Sequence, residues 1–151
     1  MHAVRNVIIL VILCVSGCAT SLVRGGLSMS SDRWDVSLVK LAAGPDQYLT
    51  AGGVKVPRNG RRYVWGTVRI RNALKTDQVF RLDRFYLHHG KKRIKPCVID
   101  MNAFVSMRAP AAPKLRPGET VTRRMAYAMP PGNLPERLTY ENWEIIIPAG
   151  R

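Results

Sequence analysis

Acidic residues, histidines and cysteines are all scarce in this sequence, and their scarcity limits the chemistry that it can perform. The 151 residues include 24 Lys and Arg but only 10 Asp and Glu, which gives a formal net charge of +14. Two of the three histidines, His88 and His89, are adjacent, so on a strand they would point to opposite faces. The sequence contains no Gly-x-Ser-x-Gly, no His-Glu-x-x-His and no glycine-rich phosphate loop. We therefore expect no enzymatic activity, no catalytic residues and no cofactor.

The longest apolar run lies near the N-terminus and is too short to cross a membrane as a helix. Met1–Asn6 carries one positive charge, at Arg5, and Val7–Val15 is uninterrupted apolar sequence before the small residues Ser16 and Gly17. A charged start, an apolar centre of 7–15 residues and small residues at a cleavage zone are typical of a secretory signal peptide. Because a membrane-spanning helix needs about 20 apolar residues, an uncleaved anchor is the weaker interpretation.

Val15-Ser16-Gly17-Cys18 resembles the bacterial lipobox. This resemblance implies diacylglyceryl transfer to the Cys18 sulfur, cleavage after Gly17 and a protein tethered to the membrane by lipid. An ordinary cleaved signal peptide, with Cys18 incidental, is the alternative. Because residue 19 is Ala rather than Asp, the resemblance is compatible with the periplasmic face of the outer membrane in a Gram-negative cell. In other bacteria, the outer face of the plasma membrane is expected.

These observations predict three segments: a lipoprotein signal peptide over residues 1–17, a lipidated flexible tether over 18–33 and one domain over 34–151. Cleavage would leave 134 residues, a normal size for one domain. With Cys14 removed and Cys18 lipidated, Cys97 would be the only remaining thiol, so no intramolecular disulfide is expected. Cys97 is then either a buried small hydrophobe, which we favour, or a thiol available to a partner.

Short alternating segments between turn signals predict an all-β fold. The clearest strand is residues 62–72, in which Val64, Val68 and Ile70 share one face. No segment has helical periodicity, and six to eight such strands indicate an antiparallel β-sandwich. The other segments expected to be extended are 34–41, 47–50, 54–56, 79–87 with a bulge at Asp83-Arg84, 93–99, 104–107, 120–129 and a terminal strand over 138–147.

The order of strands and turns also resembles a known kind of bacterial lipoprotein. Its members carry an immunoglobulin-like sandwich domain of unknown function and are typified by secreted immunoprotective-type proteins. The resemblance rests on residues 60–72, 85–91, 115–121 and 125–130. It implies a single immunoglobulin-like β-sandwich and transfers no functional residue, because its motifs are turns and strand starts.

Basic side chains flanked by aromatic ones form the best functional lead in the sequence. Arginine forks match phosphate and carboxylate geometry, and an aromatic ring can stack on a ligand. This predicts a surface for an anionic envelope polymer or a protein partner, whereas nucleic acid is not an expected partner of an exported chain. The predicted surface comprises Arg61, Tyr63, Trp65, Arg69, Arg71, Lys91, Lys92 and Arg93, with Arg58, Arg62 and Lys95 beside them.

Two other functions fit the sequence less well. The chain could be a structural subunit of a secretion or transfer complex that docks by adding a strand to a sheet edge. It could also be a periplasmic copper carrier, since methionine and cysteine sulfur suit Cu(I). The sequence has no recognisable ligand motif, however. Methionines four residues apart on a strand, such as Met125 and Met129, usually fill a core. We therefore predict no metal site.

Overall fold

The computed structural model describes residues 19–101 and 107–148, with the backbone alone for residues 24 and 25. The predicted signal peptide and the lipidation site, Cys18, lie outside this range. Within it, no helix has the length and apolar character needed to cross a membrane. The strands are β1 Thr20–Ser30, β2 Trp34–Ala43, β3 Tyr48–Thr50, β4 Gly53–Lys55, β5 Arg62–Asn72, β6 Gln78–Val79, β7 Tyr86–His89, β8 Lys92–Ile94, β9 Val98–Asp100, β10 Lys114–Leu115, β11 Thr120–Met129, β12 Arg137–Tyr140 and β13 Trp143–Ile146, with one 3₁₀ turn at Leu82–Arg84.

Two antiparallel sheets pack face to face. The large sheet has the order β1-β2-β5-β11-β9, and the small sheet has the order β13-β12-β7-β8. Two short ribbons, β3-β4 and β10-β6, complete the fold. This architecture confirms the prediction of an antiparallel β-sandwich.

The core between the sheets forms because alternate residues of each long strand are apolar. Val64, Val68 and Ile70 of β5 are buried, as the sequence predicts, beside Met125 and Tyr127 of β11. Facing them from the small sheet and the connections are Phe80, Leu82, Phe85, Leu87, Leu138, Tyr140 and Ile145. Met125 and Met129 are therefore core residues.

The segment expected to be a flexible tether is a strand instead. Thr20–Ser30 pairs with β2 along most of its length, from Thr20 opposite Ala43 to Ser30 opposite Asp35. Its small polar residues show no clear period, and the register with β2 is shifted twice. Val23 is nevertheless buried in the core, and Leu27 and Met29 pack against it. Burial of these three apolar side chains outweighs the weak strand propensity of the segment.

Two local predictions were wrong. The parity change at Asp83-Arg84 is a 3₁₀ turn that separates β6 from β7, not a bulge within one strand. The predicted terminal strand over 138–147 is the hairpin β12-β13, which turns at Glu141-Asn142. The pairing of β2 with β5 has a register shift at Val39, between the pairs of Leu38 and Lys40. Of the predicted strand over 104–107, residues 104–106 lie outside the described residues, and Met107 is not in a strand.

One end of the sandwich gathers the start of the described chain and several loops. Thr20 pairs with Ala43, and β5 begins at Arg62, which pairs with Met129 at the end of β11. We call this the Thr20 end. The opposite end, where β5 finishes, is the Asn72 end.

Candidate functional site

A groove lies where the chain crosses from the small sheet to the large one. β8 is an edge strand of the small sheet and β9 of the large sheet, and Lys95–Cys97 connects them. The backbone N–H of Cys97 donates to the Ala126 carbonyl at 2.8 Å, which fixes the crossing against β11. The groove has a volume of about 500 Å³ and is lined by Arg61, Lys92, Arg93, Ile94, Lys95, Cys97, Ala128 and Pro130.

A second depression of about 550 Å³ continues this groove toward the β3-β4 hairpin. Arg61, Cys97 and Ala128 line both depressions, so the two form one trough. The second depression adds Lys55 and Arg58. The basic groove is defined below by six exposed cations: Lys55, Arg58, Arg61, Lys92, Arg93 and Lys95.

The charges of the basic groove are not neutralised within the described part of the chain. Seven ion pairs between Lys or Arg and a carboxylate form there, besides the His89–Glu136 contact, and none includes a cation of the basic groove. Six like charges around one trough produce a positive potential that attracts anions, because opposite charges are absent from its walls. The structure thus concentrates part of the excess charge at one place.

Two arginines of the basic groove are held by neighbouring groups. The guanidinium of Arg93 lies 4.0 Å from the centre of the Tyr86 ring, a cation–π contact. Arg61 Nη1 donates to the carbonyl of Ala128 at 3.4 Å. Each contact leaves other N–H donors for a ligand, because a guanidinium carries five.

Cys97 lines both depressions of the trough, and its surroundings do not favour the thiolate. Its side chain is exposed, which contradicts the favoured expectation of a buried residue. The sulfur still rests against the protein and donates to the Ala126 carbonyl at 3.3 Å. Burial of the sulfur raises the pKa of the Cys97 thiol, and backbone hydrogen bonds oppose this only in part. The raised pKa disfavours the thiolate, which is the form of cysteine that acts as a nucleophile.

The predicted aromatic partners of the surface, Tyr63 and Trp65, are covered. They lie on the outer face of β5, as predicted, but each is only 6% exposed. Tyr48 of the β3-β4 hairpin packs edge-on against both rings, at 5.5 Å from Tyr63 and 5.3 Å from Trp65. Burial, followed by the neighbouring Tyr48, raises the pKa of Tyr63 to about 12. The two rings stabilise the hairpin and are not free to stack on a ligand.

A buried ion pair supports the same cluster. Asp100 is fully buried and accepts from Arg124, whose Nη2 approaches Asp100 Oδ2 to 2.8 Å. The Arg124 guanidinium also lies 4.6 Å from the Trp65 ring. Breaking such a pair is strongly destabilising, so we assign it to structure rather than ligand binding.

The other predicted cations separate into two groups. Lys91 lies in the two-residue turn between β7 and β8, beside Lys92 of the basic groove. Arg69 and Arg71 lie on the outer face of β5 nearer the Asn72 end, and Arg71 Nη1 pairs with Asp35 at 3.5 Å. The structure thus brings together Arg61, Lys92 and Arg93, and leaves Arg69 and Arg71 apart.

Lys55 is the member of the basic groove that sequence reasoning missed. It lies in a Gly- and Pro-rich stretch whose hairpin, β3-β4, can be located only once Tyr48 is seen to cover β5. No signal in the sequence places Lys55 beside Cys97. No group of three potential metal ligands occurs among residues 19–101 and 107–148.

Comparisons with known proteins show the fold. A conserved hypothetical protein from Bacillus anthracis aligns over 85% of this chain and 96% of its own, at 11% identity and a TM-score of 0.62. An uncharacterised beta-sandwich protein from Clostridium difficile aligns over 82% and 89%, at 12% identity and a TM-score of 0.56. The chain has the fold of uncharacterised β-sandwich proteins.

A third solved structure with this fold carries a lipoprotein description. The protein ycdA from Bacillus subtilis, described as a candidate lipoprotein, aligns over 80% of this chain and 38% of its own, at 14% identity and a TM-score of 0.52. No family model matches the sequence, and no curated protein matches it.

Proposed function

We propose that this protein is a lipid-anchored lipoprotein of the cell envelope that binds anionic envelope material, without catalysis, through the basic groove. The observation that carries the proposal is the set of six cations without a carboxylate partner around one trough. Attachment at Cys18 rests on the lipobox resemblance, and the lipoprotein description of a protein with the same fold supports it. The proposal also includes an immunoglobulin-like form of the sandwich and, in a Gram-negative cell, a location at the outer membrane.

The ligand chemistry follows from the groove. Arginine and lysine donors in an exposed trough suit a polymer whose phosphates or carboxylates repeat along its length. Six cations and no carboxylate line the trough, which favours an anionic ligand over a neutral one, and the aromatic rings nearby are covered. The raised pKa of Cys97 disfavours a thiolate nucleophile, which supports binding rather than catalysis.

The test compares two variants with the same change in net charge. In the groove variant, Arg61, Lys92, Arg93 and Lys95 are replaced by Gln. In the control, the same replacement is made at Arg33, Lys40, Arg69 and Lys75, which are exposed and form no ion pair within the described residues. Binding of linear polyphosphate and of polygalacturonate is measured by titration at low and moderate salt.

We expect the groove variant to bind more weakly than the control. Exposed ion pairs contribute about 0.2–1 kcal/mol each, so four lost contacts predict a loss of about 1–4 kcal/mol, roughly fivefold to several hundredfold in affinity. Added salt should reduce this difference by screening. Equal weakening in both variants would show that net charge alone drives binding and would refute the proposal.

A second candidate function is assembly by strand addition. It is favoured by β1, an 11-residue edge strand of the large sheet whose outer side pairs with no other described strand. An exposed edge of this length is a template for a further strand. Crosslinking in native membranes tests it: one stoichiometric protein joined to β1 supports this function, and its absence supports the polymer.

A further inference from the structure

We propose that the Thr20 end of the sandwich carries an apolar patch that docks on an anionic bilayer surface and orients the domain against it. The patch is separate from the floor of the basic groove. The inference rests on the membrane location in the proposed function, but not on the ligand of the groove.

The patch is a shallow depression of about 450 Å³ between β1, the loop before β12 and the end of β13. Leu134 and Ile146 project from it with 53% and 64% of their surface exposed. The apolar residues of the patch are Leu22, Leu134, Pro135, Ile146, Ile147 and Pro148. Large apolar side chains left this exposed and grouped together mark an interaction surface more often than scattered ones do.

The position of the patch identifies its occupant. Leu22 is in the patch, and the first described residue, Ala19, is three residues before it at the same end of the fold. The preceding 18 residues include the apolar run Val7–Val15 and the lipobox cysteine, Cys18. Whichever of them anchors the chain, the anchor enters the fold beside the patch. An anchor at this end would make the bilayer the apolar surface nearest to Leu134 and Ile146.

The charges around the patch favour the same occupant. Lys91 and Lys92 occupy the β7-β8 turn and the start of β8, and Lys92 pairs with His89, which lines the patch. Both lysines are exposed and have no carboxylate partner among the described residues. Apolar tips beside unpaired cations are the combination that binds headgroup regions of anionic membranes. A second copy of the chain would bring the same lysines toward one another, which disfavours self-association.

Glu136 is the opposing charge in the patch. Its carboxylate accepts from the Gly90 backbone N–H at 3.1 Å and lies 3.6 Å from His89 Nδ1. These contacts hold the β7-β8 turn against the patch. The acidic group is thus engaged within the protein and offsets the neighbouring lysines only partly.

The test uses the full-length anchored protein in vesicles of phosphatidylcholine with phosphatidylglycerol. On a Cys97→Ser background, Leu134→Cys and Ile146→Cys are each labelled with an environment-sensitive fluorophore, and quenching by headgroup nitroxide lipids is measured. Val79→Cys is the matched control, because Val79 is 54% exposed but follows β5 at the Asn72 end. That end lies about 33 Å from Arg62 along β5 at about 3.3 Å per residue.

We expect strong quenching at positions 134 and 146 and little at position 79, since docked apolar side chains reach only about 5–10 Å into the headgroup region. Replacing Lys91, which is not part of the basic groove, with Gln should reduce quenching at position 146 on anionic vesicles. Equal quenching at all three positions overturns the inference. So does a label at 146 shielded from both nitroxide lipid and aqueous iodide, because protein would then cover the patch.

The outcome separates this inference from the proposed function. Protein that sediments with vesicles but shows no quenching at 146 refutes the docked patch and leaves the anchor intact. Protein that does not sediment with vesicles refutes both the anchor and the patch. Tryptophan fluorescence of each variant confirms folding, and the replaced side chains are exposed, so their substitution removes no core contact.

Discussion

Replacement of Asn72 by Ala is expected to destabilise the fold by about 4 kcal/mol. Asn72 is fully buried at the end of β5 and makes three side-chain hydrogen bonds. Its Nδ2 donates to the carbonyls of Thr76 at 2.7 Å and Leu115 at 3.0 Å, and its Oδ1 accepts from Leu74 N–H at 3.0 Å. These bonds tie the turn after β5 to β10.

The magnitude depends on which partners water can reach. Thr76 and Leu74 lie in an exposed turn, so losing their bonds should cost about 1 kcal/mol each, the usual net value. The Leu115 carbonyl belongs to a buried residue, and an unsatisfied buried acceptor costs about 1–3 kcal/mol. The sum is a large share of a typical unfolding free energy of about 5–15 kcal/mol.

Urea unfolding followed by tryptophan fluorescence measures this loss. Trp34 and Trp65 are each 6% exposed, so their emission should report loss of packing. Asn142→Ala, at an exposed position in the β12-β13 turn, is the control and should change stability by no more than about 0.5 kcal/mol. Asn72→Asp should be at least as destabilising as Asn72→Ala, because a carboxylate would face two carbonyls. A loss below about 1 kcal/mol for Asn72→Ala would refute this reasoning.

Three further predictions concern His88, Glu141 and Cys97. Burial, then the charges of Arg137 and Arg93, lower the pKa of His88. Folding stability should therefore fall as the pH drops below the unfolded-state pKa of about 6.5. His88→Gln should reduce the dependence of the urea unfolding midpoint on pH. Glu141→Asn should raise the free energy of unfolding by about 1 kcal/mol, because Glu141 has φ of 51° and a left-handed conformation costs about 1–2 kcal/mol outside Gly and Asn. Cys97 should react with iodoacetamide more slowly in the folded than in the urea-unfolded protein at pH 8, because its pKa is raised.

Each of these predictions has a decisive contrary outcome. Identical pH dependence in His88→Gln and the parent would remove His88 as the cause. Glu144→Asn is the control for Glu141, since each loses one exposed ion pair but Glu144 lies in extended β13. An equal effect of both substitutions would exclude relief of backbone strain. Faster alkylation of folded than of unfolded Cys97 would show an activated thiol and reopen a catalytic interpretation.

Alternation along single strands could be read from the sequence, whereas pairing between segments could not. Residues 62–72 were predicted as a strand with the bounds that β5 has, because Val64, Val68 and Ile70 alternate with polar residues. β1 was missed because its small polar residues acquire strand structure only by pairing with β2 and burying Val23. The β12-β13 turn was missed because Glu141-Asn142 contains neither Gly nor Pro.

The basic groove shows the same limit. Arg61 and Lys92 were both predicted as surface cations, but their proximity depends on how two sheets pack and on the crossing at Lys95–Cys97. Trp65 was assigned to the correct face of β5, yet it is covered by Tyr48, which lies 17 residues earlier in the sequence (65 − 48). Faces of a strand follow from a period of two, whereas contacts between distant segments follow from tertiary packing.

The pairing of β1 with β2 limits how far the domain could travel from a lipid anchor at Cys18. A flexible tether of about 16 residues would have an r.m.s. end-to-end distance of roughly 22 Å, because this distance is about 5–6 Å times the square root of the number of residues. With β1 beginning at Thr20, only Ala19 separates Cys18 from the sheet. An anchor at Cys18 would therefore leave no flexible linker between the lipid and the sheet. The domain would then extend from the membrane by little more than its own length. A force applied to the anchor would act directly on the edge strand β1.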